Sequence, residues 1–268
     1  MIEGRTFLGF INQFIQTPLR YLFFTRHLLR KEKPRFLILS FGILKNQVIL
    51  DFHKKQFLKV LTPTIQDFRV LLQIFYFEHY KIDSSWLGIV EKSFQIPSES
   101  KRLILDLGSN IGISALYFSL TIPNAEIILV EPYHRNMEIA KRNTKNCDCQ
   151  YVLGAISSNK SKMNLIDPGL GPDAYRVELS ENGKVETFTV EELISLVESK
   201  PFLIKIDIEG SENNLFESNT DWIDKFPYLV IELHDWMLLN QFSSRNFLVE
   251  IGKRRRNFIY QNENIFSF

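Results

Sequence analysis

The chain reads as an α/β protein: a mostly parallel sheet with helices on both faces, preceded by an appendage of helix and hairpin. Three observations predict this. From about Ser100 onward, apolar runs of strand length alternate with helix-like stretches, as strand 103–107, helix 110–120, strand 126–131, helix 134–146 and strand 149–153. The runs carry few polar residues, which suits strands covered on both faces. Two further units and a pair of short terminal runs, 202–207, 228–234, 257–260 and 265–268, bring the available strands to seven.

The elements follow in order. Residues 1–35 hold seven Lys or Arg against two Glu, +5, which leaves −4 for the rest of a chain whose net charge is +1. This basic arm interleaves Phe7, Phe10, Phe14, Tyr21, Phe23 and Phe24 with Arg20, Arg26, Arg30 and Lys31, and Phe7, Phe10, Ile11 and Phe14 share a helical face. Such a face packs on the protein's own body, on a partner or on a membrane surface. No uncharged apolar run reaches the roughly 20 residues that span a bilayer, and the leader pattern of a secreted protein is absent. Val48 to Phe52 pairs with Phe57 to Leu61 across Lys54-Lys55-Gln56 as a small hairpin. Thr64-x-x-Asp67 caps a helix running to Tyr80, and the break at Pro97-Ser98-Glu99-Ser100 divides an appendage, 1–99, from the main domain, 100–268. Inside the domain, 154–188 departs from the alternation, with Tyr175 to Leu179 and Lys184 to Phe188 predicted as a hairpin about Asn182-Gly183. Thr189-x-x-Glu192 then caps the helix before strand 202–207, and another lies near 245–253.

Two stretches carry chemistry. Asp106-Leu107-Gly108-Ser109-Asn110-Ile111-Gly112 is a strand, a glycine turn and the start of a helix, whose unpaired N–H groups can meet the polar parts of a ligand. Glu131 and Pro132 end the next strand, where a carboxylate can accept bonds from both hydroxyls of a ribose. A dinucleotide fingerprint wants further glycines where this chain has Asn110 and Ile113. The pattern D-x-G-x-x-x-G instead places Asp106 toward an amine, which fits S-adenosylmethionine better than a pyrophosphate. In the second stretch, alternation puts Lys205 and Asp207 on one strand face, with Glu209 just beyond, and Glu232 and His234 on one face of the next strand. If these strands are neighbours, their ionisable groups converge at the carboxyl ends. They then form either a paired core or a reactive site.

Leu105 to Gly112, Val130-Glu131-Pro132, Gly154-Ala155-Ile156-Ser157, Ile204 to Glu212 (IKIDIEGSE) and Val230 to Asp235 (VIELHD) together resemble the FkbM-type class I S-adenosylmethionine-dependent methyltransferases, over about residues 60–260. Thr187-Phe188-Thr189-Val190 departs from that family's Thr-Leu-Asp segment. The resemblance implies a seven-stranded Rossmann-like sheet and O-methylation of a hydroxyl on a sugar, glycan or secondary metabolite. It further implies that Gly108, Ser109, Asn110 and Gly112 hold the methionine end, Glu131 the ribose, and Ala155 the adenine, with Asp207 where the methyl group is delivered. His234, with an ordinary pKa near 6.5, is the expected base. Alternatively Asp207, Glu209 and Glu232 hold a divalent cation such as magnesium.

Two other readings compete: a nicotinamide-dependent oxidoreductase, which Asn110 and Ile113 disfavour, and a non-catalytic binding protein of the same fold docked on a membrane or partner. Nucleic acid is not indicated, because Asp207-Ile208-Glu209-Gly210 stands where base-methylating enzymes carry Asn/Asp-Pro-Pro-aromatic. The run Lys253-Arg254-Arg255-Arg256 reads as a solvated edge, and His79 as a surface or packing residue. Tyr76, Phe77, Tyr80 and Trp236 are candidates for an acceptor wall. Cys147 and Cys149 form no disulfide framework, which places the expected protein in the cytoplasm, peripheral to a membrane if the arm binds one.

Overall fold

The computed structural model describes residues 34–40, 45–94, 96, 97, 99–167, 169, 175–180 and 182–268, so the helical face expected in the basic arm lies outside the described residues. Contacts divide the chain into two units, Met1–Val60 and Leu61–Phe268.

The first unit holds strands β1 (Phe36–Ile38), β2 (Asn46–Asp51) and most of β3 (Gln56–Leu61), adjacent in that order. The expected hairpin forms because Asp51, fully buried, accepts the N–H groups of His53 and Lys54 through one oxygen and so turns the chain. Arg35 stands 3.5 Å from the same oxygen.

In the second unit, Thr64 and Asp67 make the predicted reciprocal cap of α1 (Ile65–Leu71). The helix expected to reach Tyr80 instead widens into a π turn at Leu72–Tyr76 and ends there. After α2 (Ser84–Ser93) come β4 (Arg102–Leu107), α3 (Ile113–Thr121), β5 (Ala125–Glu131), α4 (His134–Asn143) and β6 (Cys149–Leu153). The insert contributes β7 (Ala155–Ile156), β8 (Lys162–Ile166), β9 (Arg176–Leu179) and β10 (Val185–Phe188). Then follow α5 (Val190–Ile194), β11 (Lys200–Ile206), α6 (Glu212–Leu215), β12 (Tyr228–Glu232), α7 (Arg245–Gly252), β13 (Phe258–Gln261) and β14 (Asn264–Ser267).

Seven strands form the central sheet, as the sequence predicts, and they run in the order β6-β5-β4-β11-β12-β14-β13. The five strands from β6 to β12 are parallel, and β14 enters antiparallel between β12 and β13. All of β4 is buried, and Leu103, Leu105, Ile204, Ile206, Leu229 and Ile231 join one core with Trp222, Phe216 and Phe247. Each such side chain removed from water stabilises the fold by about 1.5–3 kcal/mol.

Three expectations need correction. Helix α3 starts at Ile113, because Asn110 (φ 48°) and Gly112 (φ 77°) adopt left-handed backbone, so 108–112 is a loop. Second, β9 and β10 are not a hairpin: the small sheet runs β7-β10-β8-β9, with β8 between them. Asn182-Gly183 does mark a turn, closed by Gly183 N–H donating to the Ser180 carbonyl at 3.0 Å, but it carries the chain across β8. A Cβ on Gly183 would lie 2.4 Å from the Met163 carbonyl oxygen, so only glycine fits that crossing. Finally, two residues of the basic run are structural. Arg254 pairs with Asp224 and Glu250, while Arg256 donates to the carbonyls of Ile223, Phe226, Pro227 and Ser267.

Gly183→Ala is therefore expected to lower unfolding free energy by about 1–3 kcal/mol through overpacking. Urea denaturation checks it, and an unchanged midpoint would contradict the crossing.

Candidate active site

The sheet reverses its direction of growth at β4, with β5 and β6 on one side and β11 and β12 on the other. At the carboxyl ends of strands at such a reversal the connections diverge and leave a crevice. A cleft opens there, lined by the 108–111 loop, Glu131, Lys205, Asp207, Glu209 and Glu232, among others.

Its floor is electrostatic. Lys205, buried, stands 3.2 Å from an Asp106 oxygen and 3.3 Å from Asp207, and donates to the Gly108 carbonyl at 2.7 Å. Burial alone would depress its pKa, but Asp106 and Asp207 more than offset this and hold it above the lysine range. Asp106 is itself fully buried, with Ser114 Oγ donating to it at 2.6 Å. The expectation that Asp106 faces a ligand amine is thus corrected: Asp106 does not line the cleft, and its partners are Lys205 and Ser114, which do.

Gly108, at φ 73°, is needed for close packing: a Cβ there would sit 1.8 Å from the Asp207 carbonyl oxygen. Gly112 is packed too, against Ala140 of α4, and does not line the cleft. Ser109 and Asn110 do line it, and Ser109 Oγ and Asn110 Oδ1 are buried without a hydrogen-bond partner among the described residues. Glu131 accepts the N–H groups of Asn110 and Tyr133, each at 2.9 Å, through different oxygens. Burial outweighs those bonds and pushes its pKa up to about 7. Pro132 and Ala155 complete this side, where Tyr175 stacks on Tyr133 at 4.1 Å between ring centroids.

Asp207, Glu209 and Glu232 line the other side, and His234 lies beside them without lining the cleft, so Asp207, Glu232 and His234 converge as the alternation along the two strands predicts. His234 is 2% exposed. Its Nδ1 hydrogen-bonds Glu212 Oε1 at 2.6 Å, while Nε2 stands 3.6 Å from Asp207 Oδ1 and 3.7 Å from both Glu209 Oε2 and Glu232 Oε1. Backbone strain helps aim these groups, because Glu209 (φ 52°) and Gly210 (φ 97°) are left-handed. Gly210 N–H donates to Glu212, and its missing Cβ leaves room for Leu238. Burial would lower the His234 pKa, but Glu212, Asp207 and Glu209 raise it to about 10. The ordinary value near 6.5 expected from the sequence does not hold, and the ring is cationic at neutral pH. Glu232 moves up as well, first by burial and then by Asp207.

Some of the lining escaped sequence reasoning. His79 reaches the cleft, with its pKa lowered by burial. So do Asn136 on α4, and Glu263 and Asn264 at the β13–β14 turn. Tyr80 lines the cleft as expected, but Tyr76 and Phe77 do not, and Trp236 is 72% exposed outside it. Glu212 was visible only as the last residue of IKIDIEGSE, with nothing in its spacing to say that it holds His234.

No protein-family model matches the chain. It is similar to the hexuronic acid methyltransferase AglP of Haloferax volcanii, 25% identical over 146 residues, which are 51% of this chain and 58% of that protein. The chain thus spans little more than half the length of this curated relative. Solved structures overlay at low scores. A methyltransferase from Geobacter sulfurreducens is 12% identical with a TM-score of 0.37, covering 77% of this chain and 90% of that one. A precorrin-6y C5,15-methyltransferase from Geobacter metallireducens is 9% identical with a TM-score of 0.35, over 67% and 83%.

The raised Glu131 pKa has a pH signature. The folded protein holds this proton more tightly than the unfolded chain, so the group's contribution is fully present below the ordinary glutamate value of 4.5 and is lost as pH rises through about 7. Glu131→Gln cannot titrate. Relative to it, the unaltered protein is expected to lose stability between pH 4.5 and 7, by on the order of 3 kcal/mol. Denaturation midpoints across that range test this, and a pH-independent difference would contradict it.

Proposed function

We propose that the protein is an S-adenosylmethionine-dependent methyltransferase of the FkbM type, acting on a hydroxyl of a sugar, glycan or secondary metabolite. One observation carries the reading: a single cleft at the sheet's reversal point holds both a ribose-competent carboxylate, Glu131, and an acidic wall centred on Asp207, with the 108–110 loop between them. The order of strands supports it. Dinucleotide-binding sheets run 3-2-1-4-5-6, whereas here the last strand, β14, inserts antiparallel beside β12. The similarity to AglP is in keeping with a sugar-bearing acceptor.

The residues fit the cofactor. Ser109 Oγ and Asn110 Oδ1, buried and unbonded, offer partners for its polar amino-acid end. Glu131 can accept ribose hydroxyls with lone pairs that the Asn110 and Tyr133 N–H groups leave. Pro132, Ala155 and Tyr175 supply the flatter surface that a nucleobase needs. S-adenosylmethionine held there would supply a sulfonium methyl group whose carbon an acceptor oxygen can attack, with the thioether sulfur as leaving group.

The chain's own contribution is alignment and proton removal. Asp207 and Glu232 orient the acceptor hydroxyl, and its proton passes to a carboxylate of this wall. Lys205 holds Asp207 in place from below. A divalent cation held at this wall is compatible with the same proposal.

Calorimetry is expected to find one site for S-adenosylmethionine and none for NAD; tight NAD binding, or binding of neither, would overturn the reading. Asp207→Ala is expected to abolish methyl transfer while leaving cofactor binding within about threefold, the scale of a side chain on the acceptor side. Full turnover in that variant would remove Asp207 from the reaction.

A further inference from the structure

We infer that Asp207, Glu232 and His234 form a site for a divalent first-row transition metal, with Glu212 holding the histidine from behind. The three side chains offer ligand atoms that all lie within 4.8 Å of one another. Acidic groups alone would not suffice, because exposed carboxylates often cluster without an ion. What points to a ligand here is the histidine.

His234 is 98% buried, from its 2% exposure, and its Nε2 is aimed into the cluster with carboxylate oxygens at 3.6 and 3.7 Å, beyond hydrogen-bond reach. Bonds of about 2.0–2.2 Å from one ion to a nitrogen and an oxygen leave the two roughly 3–4 Å apart. The observed separations are of that size.

The opposite ring nitrogen supplies the second argument. Metal-binding histidines usually give their other N–H to a carboxylate, which fixes the tautomer and turns the free lone pair to the metal. Nδ1 of His234 meets Glu212 Oε1 at 2.6 Å. Glu212 is fully buried, and its Oε2 has no hydrogen-bond partner. A buried carboxylate held this way is costly, and among the described residues its one charged neighbour at hydrogen-bond distance is the ring it orients.

The donor set selects among ions. Magnesium and calcium prefer oxygen ligands throughout, whereas imidazole suits iron, nickel, copper and zinc, and the affinity of a mixed nitrogen and oxygen site for first-row divalent ions rises from manganese upward. This changes the ligand set expected from the sequence, which named Glu209 in place of His234. An ion there would offset part of the negative charge of the Asp207, Glu209 and Glu232 wall. Its use in lowering the pKa of an acceptor hydroxyl rests on the methyl-transfer reading; its binding does not.

The full chain, dialysed against chelator, would be titrated with Mn2+ alone and followed by electron paramagnetic resonance. One bound ion per chain is expected, with the hyperfine coupling of a directly bonded imidazole nitrogen in the pulsed spectrum of the unaltered protein. Mg2+ in about tenfold excess should leave most of the Mn2+ in place. His234→Asn should abolish the nitrogen coupling, and Glu212→Gln should weaken Mn2+ binding about 10–100-fold. No bound Mn2+, or bound Mn2+ without imidazole coupling in the unaltered protein, would overturn the site whether or not the variants fold. Calorimetry of S-adenosylmethionine on the chelated protein separates the two ideas, since cofactor binding there upholds the donor reading whichever way the Mn2+ result falls.

Discussion

The Lys205 ammonium is the interaction on which the rest of the cleft depends. It sits between two strands and neutralises Asp106 on one and Asp207 beyond the other. It also ties down the carbonyl where the first strand becomes a loop. A buried cation is costly unless its partners are close and well placed. Here that requirement fixes the relative height of the two strand ends, and so the place of every group mounted on them. The register agrees, because Lys205 and Asp106 are direct partners across the β4–β11 ladder.

Around this anchor the backbone leaves ordinary conformations in two short stretches: Gly108, Asn110 and Gly112 in one, Glu209 and Gly210 in the other. Left-handed backbone costs energy for residues other than glycine. The neighbours that hold it are visible at each end: Glu131 accepts the Asn110 N–H, and Glu212 accepts that of Gly210. The same two carboxylates face the cleft and His234, respectively. Loop shape and site chemistry are thus set by the same side chains.

This division explains what could be read from the residues. The seven strands were legible because parallel strands buried on both faces leave long apolar runs, as Leu103 to Leu107 and Phe202 to Ile206 do. The caps at Thr64 and Thr189 were legible because their partners lie three residues away. Convergence of Asp207, Glu232 and His234 followed from alternation along two neighbouring strands. Contacts between distant segments left no such trace. Nothing local says that Gly183 crosses Met163, that Asp106 is claimed by Lys205, or that Glu212 sits behind His234. The misplaced hairpin at β9 and β10 shows the limit: Asn-Gly signals a turn, but the strand beside which the chain then lies is decided by packing elsewhere. The environment of His234 was likewise invisible, since its pKa depends on carboxylates from the 207–212 segment that only the fold brings near.

The contact between Gly108 and the Asp207 carbonyl has a consequence for how such a protein can change. Two segments far apart in sequence touch backbone to backbone, with no side chain between them to absorb a shift. The 108–112 loop and the acidic wall are therefore coupled as a single piece. Divergence toward new ligands has to proceed around that piece, in the 154–188 insert, in the β13–β14 turn that brings Glu263 to the cleft, and in the stretch after His234 where Trp236, Leu239 and Phe242 face solvent. Chimaeras that exchange those surrounding segments keep the joint intact, whereas a graft that takes one of its halves without the other breaks it.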